Sequence, residues 1–117
     1  MMHPVSARSP LELVVTSVDA GRVRVAVAGD LDAFTAGHLI RRLRALLVGQ
    51  CPAAIRLDLA GVSFMDATAA GELGRFHGVA AAAGCAVSIA AADELTWWLF
   101  GSLPLADRFP APCSPTG

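Results

Sequence analysis

The stretch Leu57-Asp58-Leu59-Ala60-Gly61-Val62-Ser63-Phe64-Met65-Asp66-Ala67-Thr68-Ala69-Ala70-Gly71 decides how this chain is read. Its first residues alternate like a buried strand. The middle predicts a loop over residues 60–66, and a helix is expected from about Ala67. Thr68 then falls where that helix begins. A hydroxyl at that place lies near the surface, on a helix end that favours negative charge. No activating base is close in sequence, so the position suits a switchable phosphate acceptor better than a nucleophile.

Upstream, Ala54–Leu59 forms the body of that strand, with Ile55, Leu57 and Leu59 alternating against Arg56 and Asp58. Arg22–Ala28 alternates in the same way, Val23, Val25 and Val27 inward and Arg22, Arg24 and Ala26 outward. Before it, Leu11–Val18 is rich in strand-forming residues, with Leu11, Leu13 and Val15 on one face. The turn signal Asp19-Ala20-Gly21 joins the two as an antiparallel hairpin. Gly29-Asp30-Leu31-Asp32 closes the second strand. Thr35 is placed to cap a helix whose apolar stripe is Ala36, Leu39, Ile40, Leu43, Leu46 and Leu47. Gly49 is the expected stop, with Pro52 beyond it, and Arg41, Arg42 and Arg44 form a solvated face.

Downstream, the second helix is expected over about 67–83, its core side Ala69, Leu73, Phe76 and Ala80. Gly71, Gly74 and Gly78 lie inside it, each costing about 1 kcal/mol against Ala. That cost implies close approach by a neighbour at some of them. Gly84 ends the helix, Ala86–Ala90 is a fourth strand, and Asp93 caps a third helix over about 94–101. Leu103–Phe109 reads as a short return segment. The order β-β-α-β-α-β-α predicts an α/β domain with a small mixed sheet, its first edge strand antiparallel and the rest parallel, packed with helices. Residues 1–10 read as a flexible arm, 11–109 as one domain and 110–117 as a disordered tail.

Composition removes several function classes. The 117 residues carry a net charge of −1, so non-specific nucleic-acid binding is not expected. All nine basic residues are Arg. Without Lys the chain lacks the phosphate-binding lysine of a P-loop, a Schiff-base lysine and the strand lysine of a kinase. A receiver domain with Asp58 or Asp66 as acceptor is disfavoured on the same ground, because that family reads its phosphate with a Lys. A Ser/Thr hydrolase needs a positioned His and Asp, and no such arrangement is evident; His38 and His77 read as ordinary helix residues. Cys51, Cys85 and Cys113 are too few and too scattered for a disulfide framework or a zinc site. No apolar run approaches the roughly 18 residues of a membrane span, and the start lacks a secretory signal, so a cytoplasmic, non-enzymatic protein with no cofactor and no metal is expected.

Three words of the sequence carry a family resemblance: Gly29-Asp30-Leu31-Asp32 with Thr35 three residues on, Leu57–Asp66, and Gly71 in the following helix. Gly84 and Leu103–Phe109 complete it. In order and spacing they resemble the STAS domain, the fold of bacterial anti-sigma factor antagonists, over roughly residues 11–109. The resemblance implies a phosphorylated Ser or Thr two positions after the loop Asp, which here is Thr68. It departs at Ala67 and Ala69, where the family commonly has a hydroxyl residue and Gly. It also implies the partners: an anti-sigma factor with an ATPase-type serine/threonine kinase fold, and a protein phosphatase. The unmodified antagonist binds the anti-sigma factor and frees a sigma factor; phosphorylation ends the contact. Asp30, Asp32, Asp66, Ala67, Ala69 and Gly71 are the implied partner-binding positions. STAS domains also serve as unmodified scaffolds or sensing subunits, for example on a lipid-transport ATPase.

Each site residue also has a plainer reading. Thr68 or Asp66 can cap the second helix, Asp30 and Asp32 can be solvated turn residues, and Asp58 can make a structural bond from its strand. Trp97-Trp98-Leu99-Phe100 stands apart. Neighbouring helical residues point about 100° apart, so two tryptophans in a row cannot both face one core, and one of them is a candidate second contact surface.

Overall fold

A computed structural model describes residues 10–105 and 107–110. The arm expected at 1–10 and the tail at 110–117 therefore lie almost wholly outside the described residues, as does Cys113. The elements are β1 (Glu12–Asp19), β2 (Arg22–Leu31), α1 (Ala36–Gln50), β3 (Ala54–Met65), α2 (Ala67–Ala82), β4 (Ala86–Ala91) and α3 (Glu94–Ser102). They form one four-stranded sheet in the order β1-β2-β3-β4. β1 and β2 are antiparallel; β2–β3 and β3–β4 are parallel. The expected fold class and element order are those observed.

Alternation along the strands sends Val23, Val25, Val27, Ile55, Leu57, Leu59 and Val87 to one face, where they are buried. Ala36, Leu39 and Leu43 of α1, Leu73 and Phe76 of α2, and Phe100 of α3 join the same core cluster. The return segment adds Leu105 and Phe109, and Phe109 lies 5.2 Å from Phe100 between ring centroids. The helices therefore cover one face, and the alternate side chains of the strands face away from the core.

Several local expectations are corrected. Residues 60–65 are not a loop: β3 runs on to Met65, paired with β2 up to Leu31. Two register shifts let β3 spend two more residues than β2 over this length, which hid the alternation. α1 passes Gly49 and ends at Cys51, a non-glycine residue in the left-handed region at φ 46°. Val15 of β1 is 41% exposed and no residue of this strand is buried, so the edge strand contributes little to the core. Of the three interior glycines, Gly74 is the close-packed one. A Cβ there would collide with Leu105 of the return segment, whereas Gly71 and Gly78 have open space.

Candidate functional site

The carboxyl ends of β2 and β3 lie side by side, and each runs into a helix. At the end of β2, Asp32 Oδ1 accepts the backbone N–H groups of Phe34 and Thr35 at 2.9 and 3.0 Å. Thr35 Oγ1 accepts the N–H of Asp32 at 2.9 Å and donates to the carbonyl of Asp30 at 3.0 Å. Each side chain accepts the other's backbone N–H, the reciprocal pattern of a capping box, here closing the turn that leads into α1. Thr35 is the N-cap residue of α1, as expected, but its side chain bonds no helix N–H and reaches back into the loop instead. Asp32 is buried at 8% exposure, while Asp30 is half-buried.

At the end of β3, Asp66 is the N-cap of α2. Its Oδ1 accepts from Ala69 N–H at 2.8 Å, and its Oδ2 accepts from Ala33 N–H at 3.1 Å. Its own N–H donates to the carbonyl of Leu31 at 3.2 Å. One side chain therefore ties the β2–α1 loop to the start of α2. Ala67 and Thr68 are exposed in the first turn of α2, and Ala69 is buried beneath them. The Thr68 hydroxyl makes no hydrogen bond among the described residues. The capping task belongs to Asp66. Gly71 is half-buried one turn further on, on the same side of the helix as Thr68.

Asp58 lies away from this cluster. Its Oδ1 accepts the N–H of Ala60 at 3.0 Å, where the register shifts, and its Oδ2 lies 3.9 Å from Arg24 Nη2. Its structural reading is the one observed.

Sequence reading missed an apolar border to this site. Phe34 is 86% exposed in the loop held by Asp32 and Asp66, and Phe64 is 53% exposed two residues before Asp66. β4 pairs with β3 only as far as Asp58, so beyond it β3 meets no strand on that side among the described residues. There a groove of about 220 Å³ runs between β3 and α3, lined by Phe64, Met65, Leu95, Trp98 and Leu99 among others. Trp98 is the exposed tryptophan; Trp97 is half-buried and packs edge-on to Phe100 at 6.2 Å. The paired tryptophans signalled this surface, but Phe64 was concealed in a segment read as loop. No cluster of three metal-ligating side chains occurs among the described residues, and no helix there is long and apolar enough to cross a membrane.

No curated protein sequence matches. An anti-sigma factor antagonist from Mycobacterium paratuberculosis superposes with a TM-score of 0.76 at 22% identity, covering 96% of this chain and 94% of that one. The anti-sigma factor antagonist SpoIIAA in its unphosphorylated form gives 0.65 at 18% identity, over 92% and 91% of the two chains. SpoIIAA from Bacillus in its phosphorylated form gives 0.58 at 18% identity, over 92% and 95%. At these identities the likeness is one of fold. The family model described as "Mlab, STAS domain" matches residues 14–104, most of the domain. The chain therefore belongs to the STAS domain family.

Proposed function

We propose that this protein is an anti-sigma factor antagonist, cytoplasmic and non-catalytic, switched by phosphorylation of Thr68. The observation that carries the reading is the free Thr68 hydroxyl in the first turn of α2, exposed while Asp66 satisfies the helix cap. In this reading the unmodified face docks on an anti-sigma factor with an ATPase-type kinase fold and frees a sigma factor. Phosphate transfer to Thr68 ends the contact, and a phosphatase resets it.

Charge explains why the switch needs no change of fold. Phosphate adds about −1.5 to −2 charge at pH 7, and the first turn of a helix favours it by about 0.3–1 kcal/mol. A partner surface fitted to the unmodified face gains nothing comparable. Asp30, Asp32 and Asp66 already make this edge acidic, and an added dianion in a dry contact costs several kcal/mol unless cations meet it. A loss of about 3 kcal/mol weakens affinity more than about a hundredfold. Asp30, Ala67 and Gly71 would meet the partner directly. Asp32 and Ala69, both buried, would act by shaping the loop and the helix start. Phe34 and Phe64 would supply apolar anchors around the acceptor.

The test is incubation with kinase-type anti-sigma factors and ATP, followed by mapping of phosphate by mass spectrometry. Phosphate at Thr68, lost in Thr68→Ala, is the expected result; modification elsewhere, or none, overturns it. A second reading, an unmodified scaffold or sensing subunit such as one on a lipid-transport ATPase, draws on the Phe64–Leu95–Trp98 groove, which offers contact area independent of Thr68. Stable binding to a transporter ATPase with no modification would select it.

A further inference from the structure

The uncovered face of the sheet carries a row of four side chains that no part of the Thr68 reading uses. Ser17 pairs with Arg24, Arg24 with Arg56, and Arg56 with Ser88, one residue from each strand in direct register. Cross-strand partners point to the same side, here opposite to buried Val23, Val25, Ile55, Leu57 and Val87. Strands lie about 4.8 Å apart, so two guanidinium stems stand side by side, with a hydroxyl at each end of the row. Arg22 projects from the same face two residues along β2.

Like charges set directly opposite in a sheet are unfavourable, and this pair is poorly compensated. Arg24 has Asp58 at a loose 3.9 Å, Asp19 pairs in register with Arg22, and Arg56 has no ion pair among the described residues. Three guanidiniums thus face two carboxylates. A depression of about 500 Å³ spans the row and also takes in Arg22 and Asp19, a size within the range of small-ligand sites. Guanidinium groups are pure donors in a planar fork, and both serine hydroxyls can donate as well. Two forks one strand apart suit an anion with oxygens in several directions, which a phosphate has and a single carboxylate lacks.

We propose that the Ser17–Arg24–Arg56–Ser88 row binds the phosphate group of a soluble, phosphorylated small molecule. The row lies toward the amino-terminal ends of β2 and β3, whereas Thr68 follows the carboxyl end of β3, so a ligand here leaves the antagonist face open.

The experiment titrates the full chain with pyrophosphate at low salt, followed by calorimetry and by backbone amide shifts. Saturable binding is expected, with shifts centred on Ser17, Arg24, Arg56 and Ser88. Arg56→Gln should weaken it about tenfold with an unchanged melting temperature. Arg41→Gln, on the exposed side of α1, should bind as the parent does. Thr68→Ala should also bind as the parent, which separates this proposal from the phosphoswitch. The proposal is overturned by equal affinity in Arg56→Gln, by citrate binding as tightly as pyrophosphate, or by absence of saturable binding. Retention on anionic lipid vesicles with no pyrophosphate competition would also overturn it, assigning the row to a membrane surface.

Discussion

Asp66 Oδ2 accepts the backbone N–H of Ala33 at 3.1 Å while Oδ1 of the same carboxylate caps α2 through Ala69 at 2.8 Å. Residues 33 apart in sequence are thereby fixed in one small frame, and Thr68 and Phe34 stand at its edges. Asp66→Ala removes both bonds. Loss of a helix cap costs about 1 kcal/mol; the exposed Ala33 N–H is left to water and adds the loss of the loop-to-helix tie only. A fall of about 5–10 °C in melting temperature is expected, followed by circular dichroism. Asp66→Asn, which keeps one acceptor oxygen, should lose less.

Thr68→Glu should leave the melting temperature within a few degrees of the parent, because the side chain is exposed and a helix start accepts negative charge. The same variant should bind a cognate anti-sigma factor more than about tenfold more weakly, as read by calorimetry. Unfolding of this variant would show Thr68 to be a packing residue.

The interior glycines of α2 should separate by their surroundings. A Cβ at Gly78 meets nothing within 4 Å, so Gly78→Ala should stabilise by about 0.5–1 kcal/mol. At Gly74 a Cβ would run into Leu105, which is buried against the same helix. Overpacking of about 1–3 kcal/mol should there outweigh the helix gain, and Gly74→Ala should unfold at lower urea than the parent.

Stability should fall in mild acid through His77. Its Nδ1 is buried without a hydrogen-bond partner among the described residues, its ring lies edge-on to Phe109 at 5.3 Å, and burial holds its pKa below the usual imidazole value, helped by the Arg108 charge. The unfolded chain takes up the proton near pH 6.5, before the folded one does. The contribution is therefore intact above that pH and is lost as pH falls from there toward the folded pKa. His77→Leu should flatten the melting temperature between pH 7.5 and 5.5. Asp93 acts in a separate, lower window. The Thr96 N–H bond first, and the Thr96 side chain second, hold its pKa below 3.8, so its contribution is present above that value and is lost as pH falls through the folded pKa.

The two described thiols should differ in reactivity. Cys51 is exposed at the end of α1, whereas Cys85 is buried, and burial raises its pKa against a smaller opposing effect of a backbone hydrogen bond with Ile55. In a Cys113→Ser background one thiol should react rapidly with Ellman's reagent and the second only on unfolding.

Strand and helix identity was legible wherever side chains alternate against one core. Val23, Val25 and Val27, or Leu39 and Leu43, announce their faces without help from the rest of the chain. The reading failed at residues 60–65, because two register shifts break the period of two that makes a strand visible. At Thr35 it found the N-cap position but not the bonding: the hydroxyl turns back to Asp30 and Asp32, a choice that rests on loop geometry. Thr68 was singled out from its spacing after Asp66, and it stands exposed in the first turn of α2. Phe64 was not, since an apolar residue in an apparent loop carries no periodic signal.

The order of residues by itself determined the element order, the inward faces of the strands and the placing of a hydroxyl at a helix start, because these follow from local periodicity and capping chemistry. Only the tertiary structure decided that Asp66 would bridge to Ala33, that β3 would outrun β4 to leave a groove beside Trp98, and that Arg24 and Arg56 would stand in one row. Those are relations between segments far apart in the chain. They depend on strand register, and register is set when the buried faces of all four strands are packed against the helices at once.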